Sequence, residues 1–146
     1  MSLKNKSDDL WEKIELDEHL VSNAVHLAYR DLKAAEDNFN DDDYDWSFAI
    51  SYNAMLQAGR ALMFSQKVRP KGEYKHVSVV TFIKNKFEKA FAHDLLYMFD
   101  KIRKKRHTVV YEQVNLISEK EAEYALQVAS DFVEKVNNIL EGKMEK

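Results

Sequence analysis

A chain of 146 residues, 45% hydrophobic and 32% charged, is long enough for one ordinary domain with its own core and too apolar for wholesale disorder. Three Gly and one Pro are too few for a turn-rich β-sandwich or barrel, and the lack of Cys excludes disulfides, thiol catalysis and cysteine metal sites. The formal net charge of −3 advertises no global attraction to nucleic acid, and no apolar run approaches the roughly 20 residues that cross a bilayer, so no membrane association and a cytoplasmic location are expected.

Met1 to Asp9 is polar and lacks the apolar centre of a signal peptide. Leu10, Trp11 and Ile14 suggest a short leading turn or an extension of the helix that follows. From about Asp17 to Phe39, Leu20, Ala24, Leu27, Ala28, Leu32, Ala35 and Phe39 recur at spacings of three and four, which predicts an amphipathic helix. Asn40-Asp41-Asp42-Asp43 then breaks the pattern, offers N-cap oxygens and complements the positive end of the next helix. That second helix runs from about Tyr44 to Lys67. Trp46, Phe48, Ile50, Tyr52, Met55 and Leu62 spread over most of its circumference, interleaved with Ala49, Ala54, Ala58, Gly59 and Ala61. Such a helix is central, and its small residues let neighbours approach.

Val68-Arg69-Pro70-Lys71-Gly72 carries the strongest turn signal in the chain. A third helix is expected over about His76 to Phe87. A fourth, from about Ala90 to Arg106, carries the stripe Leu95, Phe99, Ile102. The β-branched Thr108, Val109 and Val110 should fray its end. Ser118-Glu119-Lys120-Glu121 matches the capping box, in which a Ser oxygen and a Glu carboxylate satisfy each other's orphan amides. The last helix follows, with Ala122, Ala125, Ala129, Phe132, Val133, Val136 and Leu140 on its buried side. The expectation is an all-α antiparallel bundle of about five helices, one domain over 1–146 with its core at about 17–141.

The chemistry concentrates in Lys101-Ile102-Arg103-Lys104-Lys105-Arg106-His107. Lys101, Lys104 and Lys105 suit the negative end of a helix. Arg106 differs, because it lies four residues beyond Ile102 and so continues the apolar stripe inward. An inward guanidinium needs a partner or a ligand; Asp43, Asp45 and the Tyr52 hydroxyl are the expected supports. Arg103 and His107 form an i, i+4 pair, and Tyr111 stands four residues further on. His19 and His26 read as surface residues, His93 as a helix-start decoration and His76 as a turn-positioning residue. Asp41, Asp42 and Asp43 suit a helix start better than a divalent ion. No metal site and no cofactor are expected, and no glycine-rich phosphate loop exists.

The order of these motifs resembles the HEPN family. Asp43-Tyr44-Asp45 precedes Ala49-Ile50-Ser51-Tyr52-Asn53-Ala54-Met55 and Gly59-Arg60-Ala61-Leu62; Pro70, Gly72 and His76 follow, and Arg106-His107-Thr108-Val109-Val110-Tyr111 closes the fourth helix. The similarity spans roughly Ala28 to Leu140. It implies a nucleotide- or RNA-associated helical module of toxin–antitoxin type that forms a homodimer and acts with a nucleotidyltransferase-type partner. Ribonuclease members pair the Arg with a His four to six residues on, without metal. Here Tyr111 stands at the four-residue spacing, with Glu112 and Gln113 at the longer ones, so the resemblance favours binding, centred on Arg103, Lys104 and Arg106. The alternatives are a metal-independent ribonuclease using Arg106 with His107 or Tyr111, in which Arg would stabilise phosphorane charge, and a structural helical protein with a degenerate site.

Overall fold

Three helices start where the sequence supplies an oxygen. The carboxylate of Asp17 accepts from the amide of His19 at 2.9 Å to open α1 (Glu18–Asn40). Asp43 accepts from Trp46 at 3.4 Å to open α2 (Tyr44–Ser65). Ser118 and Glu121 form the reciprocal capping box of α5 (Glu119–Leu140), with Glu121 N to Ser118 Oγ at 3.1 Å and Ser118 N to Glu121 Oε1 at 3.2 Å. Between α1 and α2 the chain turns through Asp42, which adopts φ 62°; Asp is one of the few residues that tolerates the left-handed region. The computed structural model describes residues 10–72, 75–91, 93–112 and 114–142. The N-terminal Met1 to Asp9, Gln113 and the side chain of His93 lie outside the described residues.

Helix α2 is the axis of the bundle. Tyr52, Met55, Leu62 and Met63 are fully buried along it, and α1, α3, α4 and α5 all pack against it. Its small residues set the spacing. A Cβ on Gly59 would overlap Val79 of α3 (Lys75–Lys86) and press on Ile83, so Gly59 is the notch that seats α3. Phe99 of α4 (His93–Tyr111) meets Phe132 of α5 edge-on and Phe91, just before α4, stacks on the same ring, with centroids 5.1 Å apart in both pairs.

Two segments depart from the periodic reading. Leu10 stands in a turn, but Trp11 and Ile14 form neither a turn nor a helical extension. Trp11–Lys13 is a strand, β1, paired antiparallel with β2 (Val68–Pro70) in the register Trp11 to Pro70, Glu12 to Arg69 and Lys13 to Val68. The ladder is continued by Ile14 N to Lys67 O and Lys71 N to Leu10 O, both 2.9 Å. Pro70 is tolerated because a two-stranded ribbon leaves one edge of β2 without a ladder to join. Trp11 packs edge-on against Phe82 at 5.3 Å, and the Ser78 hydroxyl donates to the Leu10 carbonyl. The ribbon thus clamps the corner that leads into α3. The second departure is at the end of α4, which runs through Thr108, Val109 and Val110 to Tyr111 rather than fraying. Val109 is only 8% exposed, so burial outweighs a few tenths of a kcal/mol, roughly, of helix propensity.

A candidate anion site between α2, α3 and α4

On α4, Phe99 and Ile102 are buried and Arg106 follows on the same side. Its guanidinium lies over the ring of Tyr52, 5.6 Å from the centroid. Arg106 Nε is buried and donates to nothing among the described residues. Tyr52 is fully buried, and its hydroxyl is likewise without a partner there. Two buried polar groups of complementary capacity therefore stand side by side without an acceptor.

The surroundings are cationic. Burial raises the pKa of the Tyr52 phenol, and the charges of Arg103 and Arg106 only partly oppose that rise, so the group stays neutral. His76, in the first turn of α3, places its ring 5.5 Å from that of Tyr52. Burial lowers the imidazole pKa, and Arg106, Arg60 and Arg103 lower it further. The carboxylate in this neighbourhood is Asp100, and it is already engaged. Arg103 reaches it through Nε at 3.1 Å and Nη2 at 3.0 Å, and Lys104 at 3.3 Å. Burial alone would raise the Asp100 pKa, but hydrogen bonds and charge from Arg103 and Lys104 outweigh it and leave the group below its ordinary value. Three guanidinia, a neutral phenol and a neutral imidazole thus face one saturated carboxylate. That arrangement suits an incoming anion with several acceptor oxygens.

Other residues singled out from the sequence are used elsewhere. Asp43 and Asp45 do not serve as acceptors for Arg106. Asp43 caps α2, and the Asp45 carboxylate accepts from the amides of Asn115 at 2.6 Å and Ile117 at 3.0 Å, tying the α4–α5 connection to the start of α2. His107 and Tyr111 sit together at the exposed end of α4, with rings 5.0 Å apart and His107 Nε2 3.8 Å from Glu112. Lys101 lies over Tyr97 at 6.0 Å, and Lys105 pairs with Glu121 of α5. Among the described residues no group of three His, Asp or Glu side chains is placed to hold a metal ion.

Three members of the cluster escaped sequence reasoning. Asp100 carried a usable signal, since Arg103 and Lys104 follow it at the i+3 and i+4 positions. Arg60 sits eight residues after Tyr52 on α2, a little over two turns along and about 80° round the helix, so spacing alone gave only a weak signal. His76 was read from the sequence as a turn-positioning residue, because only the packing of α3 on α2 brings it beside Tyr52.

A model of the HEPN domain matches residues 23–139, from the second turn of α1 to the last turn of α5. The chain belongs to the HEPN domain family. It is also 28% identical over 122 residues, 82% of this chain and 80% of the relative, to a Methanocaldococcus jannaschii protein described as a putative toxin. The HEPN match encloses every residue of the cluster, Tyr52, Arg60, His76, Asp100, Arg103 and Arg106. In this HEPN chain the Arg-x4-Tyr pair does not converge on one point, since Arg106 lies against Tyr52 while Tyr111 is 68% exposed. Among the described residues no helix is long and apolar enough to cross a membrane.

Proposed function

We propose that this HEPN chain is the phosphate-recognising module of a toxin–antitoxin-like system, receiving a nucleotide or RNA phosphate at Arg103, Arg106 and Tyr52 and acting with a nucleotidyltransferase-type partner. The observation that carries the reading is the pair of buried, unpartnered groups, Arg106 Nε and the Tyr52 hydroxyl. A buried donor without an acceptor costs about 1–3 kcal/mol, and more when it belongs to a charged group. A phosphate oxygen between them removes that cost with charge-assisted hydrogen bonds. The relative described as a putative toxin supports the setting. Lys104, already on Asp100 and 68% exposed, serves the rim rather than the centre.

Binding of a labelled single-stranded RNA, followed by fluorescence anisotropy, tests this. The logarithm of affinity should fall with the logarithm of salt at a slope of roughly −0.7 per phosphate contacted. Arg106→Ala should weaken binding at least about tenfold, and Lys104→Ala by much less. Salt-independent binding, or binding indifferent to Arg106→Ala, would move the site elsewhere. Cleavage by Arg106 with His107 or Tyr111 is disfavoured by the outward placement of both, and mixed RNA should survive incubation with the protein in EDTA. We also propose a homodimer, supported by Trp46 and Tyr97, which are 54% and 64% exposed. A sedimentation coefficient typical of a monomer at tens of micromolar (a roughly chosen loading, above obligate-dimer constants) would remove the dimer.

A further inference from the structure

His76 packs against Tyr52 in the cluster, and the reading above gives it no contact with the phosphate. Its ring packs against one neighbour of the site, Tyr52, whose ring also meets Arg106 at 5.6 Å and Phe99 at 5.7 Å. Its position is built rather than incidental. The Gly59 notch seats α3 on α2, and the Ser78 hydroxyl fastens the same helix to Leu10 of the ribbon.

Helix α3 packs against α2, α4 and β2, and of the charged groups these carry, Arg106, Arg60 and Arg103 bear on His76. Helix α2 contributes Arg60 and the phenol of Tyr52; α4 contributes Arg103, Arg106 and Asp100, the last bound by Arg103 and Lys104. From β2 comes Arg69, exposed and paired with Glu12, and on α3 itself the neighbouring Lys75 is exposed. The charges that bear most on His76 are all guanidinia, and the Asp100 carboxylate is held by Arg103 and Lys104. In the empty site a proton on His76 would be one more positive charge beside three guanidinia. Burial and those arginines together keep the ring neutral. An anion on Arg103 and Arg106 offsets part of that positive charge.

We propose that His76 is a working part of the anion site, taking up one proton as a phosphodiester enters and becoming a further donor to it. The inference rests on the anion-site reading of Arg103, Arg106 and Tyr52. Because proton and anion binding are linked, each must favour the other by the same factor. A neutral imidazole spares the cluster a fourth positive charge, and the imidazolium appears only when the charge that stabilises it is present. Anion affinity therefore rises as pH falls below about 7, by up to a factor of about ten per pH unit while one proton is taken up.

The probes are inorganic sulfate and a short phosphodiester oligonucleotide whose bases do not titrate near neutrality; both keep their charge through the range. Titration calorimetry in two buffers of different ionisation enthalpy reads the proton directly. The wild-type protein should bind sulfate on the order of tenfold more tightly at pH 6 than at pH 8, with net proton uptake. In His76→Gln the gain at low pH and the uptake should both vanish. The imidazole resonances of His76, followed by NMR in the unaltered protein, should titrate at higher pH with sulfate than without it, which keeps the test open if the variant fails to fold. Wild-type binding without proton uptake, a His76 titration that sulfate does not move, or the same pH dependence in His76→Gln would overturn the role of His76 and leave the site standing. Sulfate and oligonucleotide affinities in Arg106→Ala equal to wild type at every pH, or no binding by the wild type at all, would instead overturn the site and the inference with it.

Discussion

Replacing Arg106 by Ala separates a cation held for a ligand from one locked in a structural pair. In the absence of anions the substitution removes a guanidinium 5.6 Å from the Tyr52 ring, an interaction of about 0.5–2 kcal/mol. It also uncovers a half-buried aliphatic stem, at about 0.8 kcal/mol per methylene if fully buried. Against these losses it deletes a buried Nε that donates to nothing described, a desolvation cost of about 1–3 kcal/mol. It further relieves repulsion among Arg60, Arg103 and Arg106. No carboxylate is stranded, because Asp100 keeps Arg103 and Lys104. The net loss should be less than about 1 kcal/mol, whereas breaking a buried ion pair costs about 3–5 kcal/mol. Urea unfolding followed by circular dichroism near neutral pH in chloride measures it. Repeating the series with sulfate reads the ligand term, about 2.7 kcal/mol for the wild type at a hundredfold excess over Kd. General salting-out by sulfate acts on both proteins and cancels in the difference. A loss of 3 kcal/mol or more in chloride would mean that Arg106 is a structural ion-pair partner. Equal stabilisation of both proteins by sulfate would mean that the anion does not rest on Arg106.

Tyr52→Phe, which deletes an unpartnered buried hydroxyl, should leave stability unchanged or raise it by up to about 1 kcal/mol while weakening sulfate binding; Tyr52→Ala should cost about 3–5 kcal/mol in the same urea assay. Gly59→Ala trades roughly 1 kcal/mol of gained helix propensity for an overlap with Val79, and a net loss of about 1–3 kcal/mol by thermal unfolding is expected; stabilisation would show that α3 is not seated in that notch. Asp45→Ala strips the acceptor from two amides of the α4–α5 connection, so hydrogen exchange at Asn115 and Ile117 should quicken with a stability loss of about 1–3 kcal/mol. In anion-free buffer the lowered pKa of His76 means the unfolded chain takes the proton first. Its stabilising contribution is present above the unfolded value of about 6.5 and is lost as pH falls toward the lower folded value. Asp100 adds a second decline of the same sign below about pH 4. Unfolding free energies that stay flat between pH 7 and pH 5, or that fall identically in His76→Gln, would contradict the first part.

Much of the bundle was legible because its determinants are local. The 3.6-residue recurrence in α1 and α5, the apolar circumference of α2 and the Ser118–Glu121 box each need only a few neighbouring residues. The β1–β2 ribbon was not legible. A three-residue strand is too short for alternation to show, and its partner lies some 57 residues away, at Arg69 opposite Glu12. The length of α4 was misjudged for a related reason: Val109 is held by the core rather than by intrinsic preference. Of the site, the Arg106 stripe and Tyr52 could be read from helical geometry. The distribution of acceptors could not. The acidic residues nearest in motif, Asp43 and Asp45, cap α2 and bind a loop, while Asp100 two elements later holds Arg103.

The ribbon also bears on how the chain comes together. Twelve residues of α3 are too few to persist as a helix in water, so its order depends on what fastens it. One fastening is local in sequence, the Gly59 notch. The other, from Leu10 to Ser78, closes a loop of 68 residues. The segment around Trp11 must wait for the whole of α1 and α2 before its partner strand β2 exists, and for the start of α3 before Ser78 does. The local contacts of α1 with α2 need no such delay. Closure of the ribbon therefore belongs among the late events of folding, and it is the docking of a segment distant in sequence that completes the fastening of the helix carrying His76.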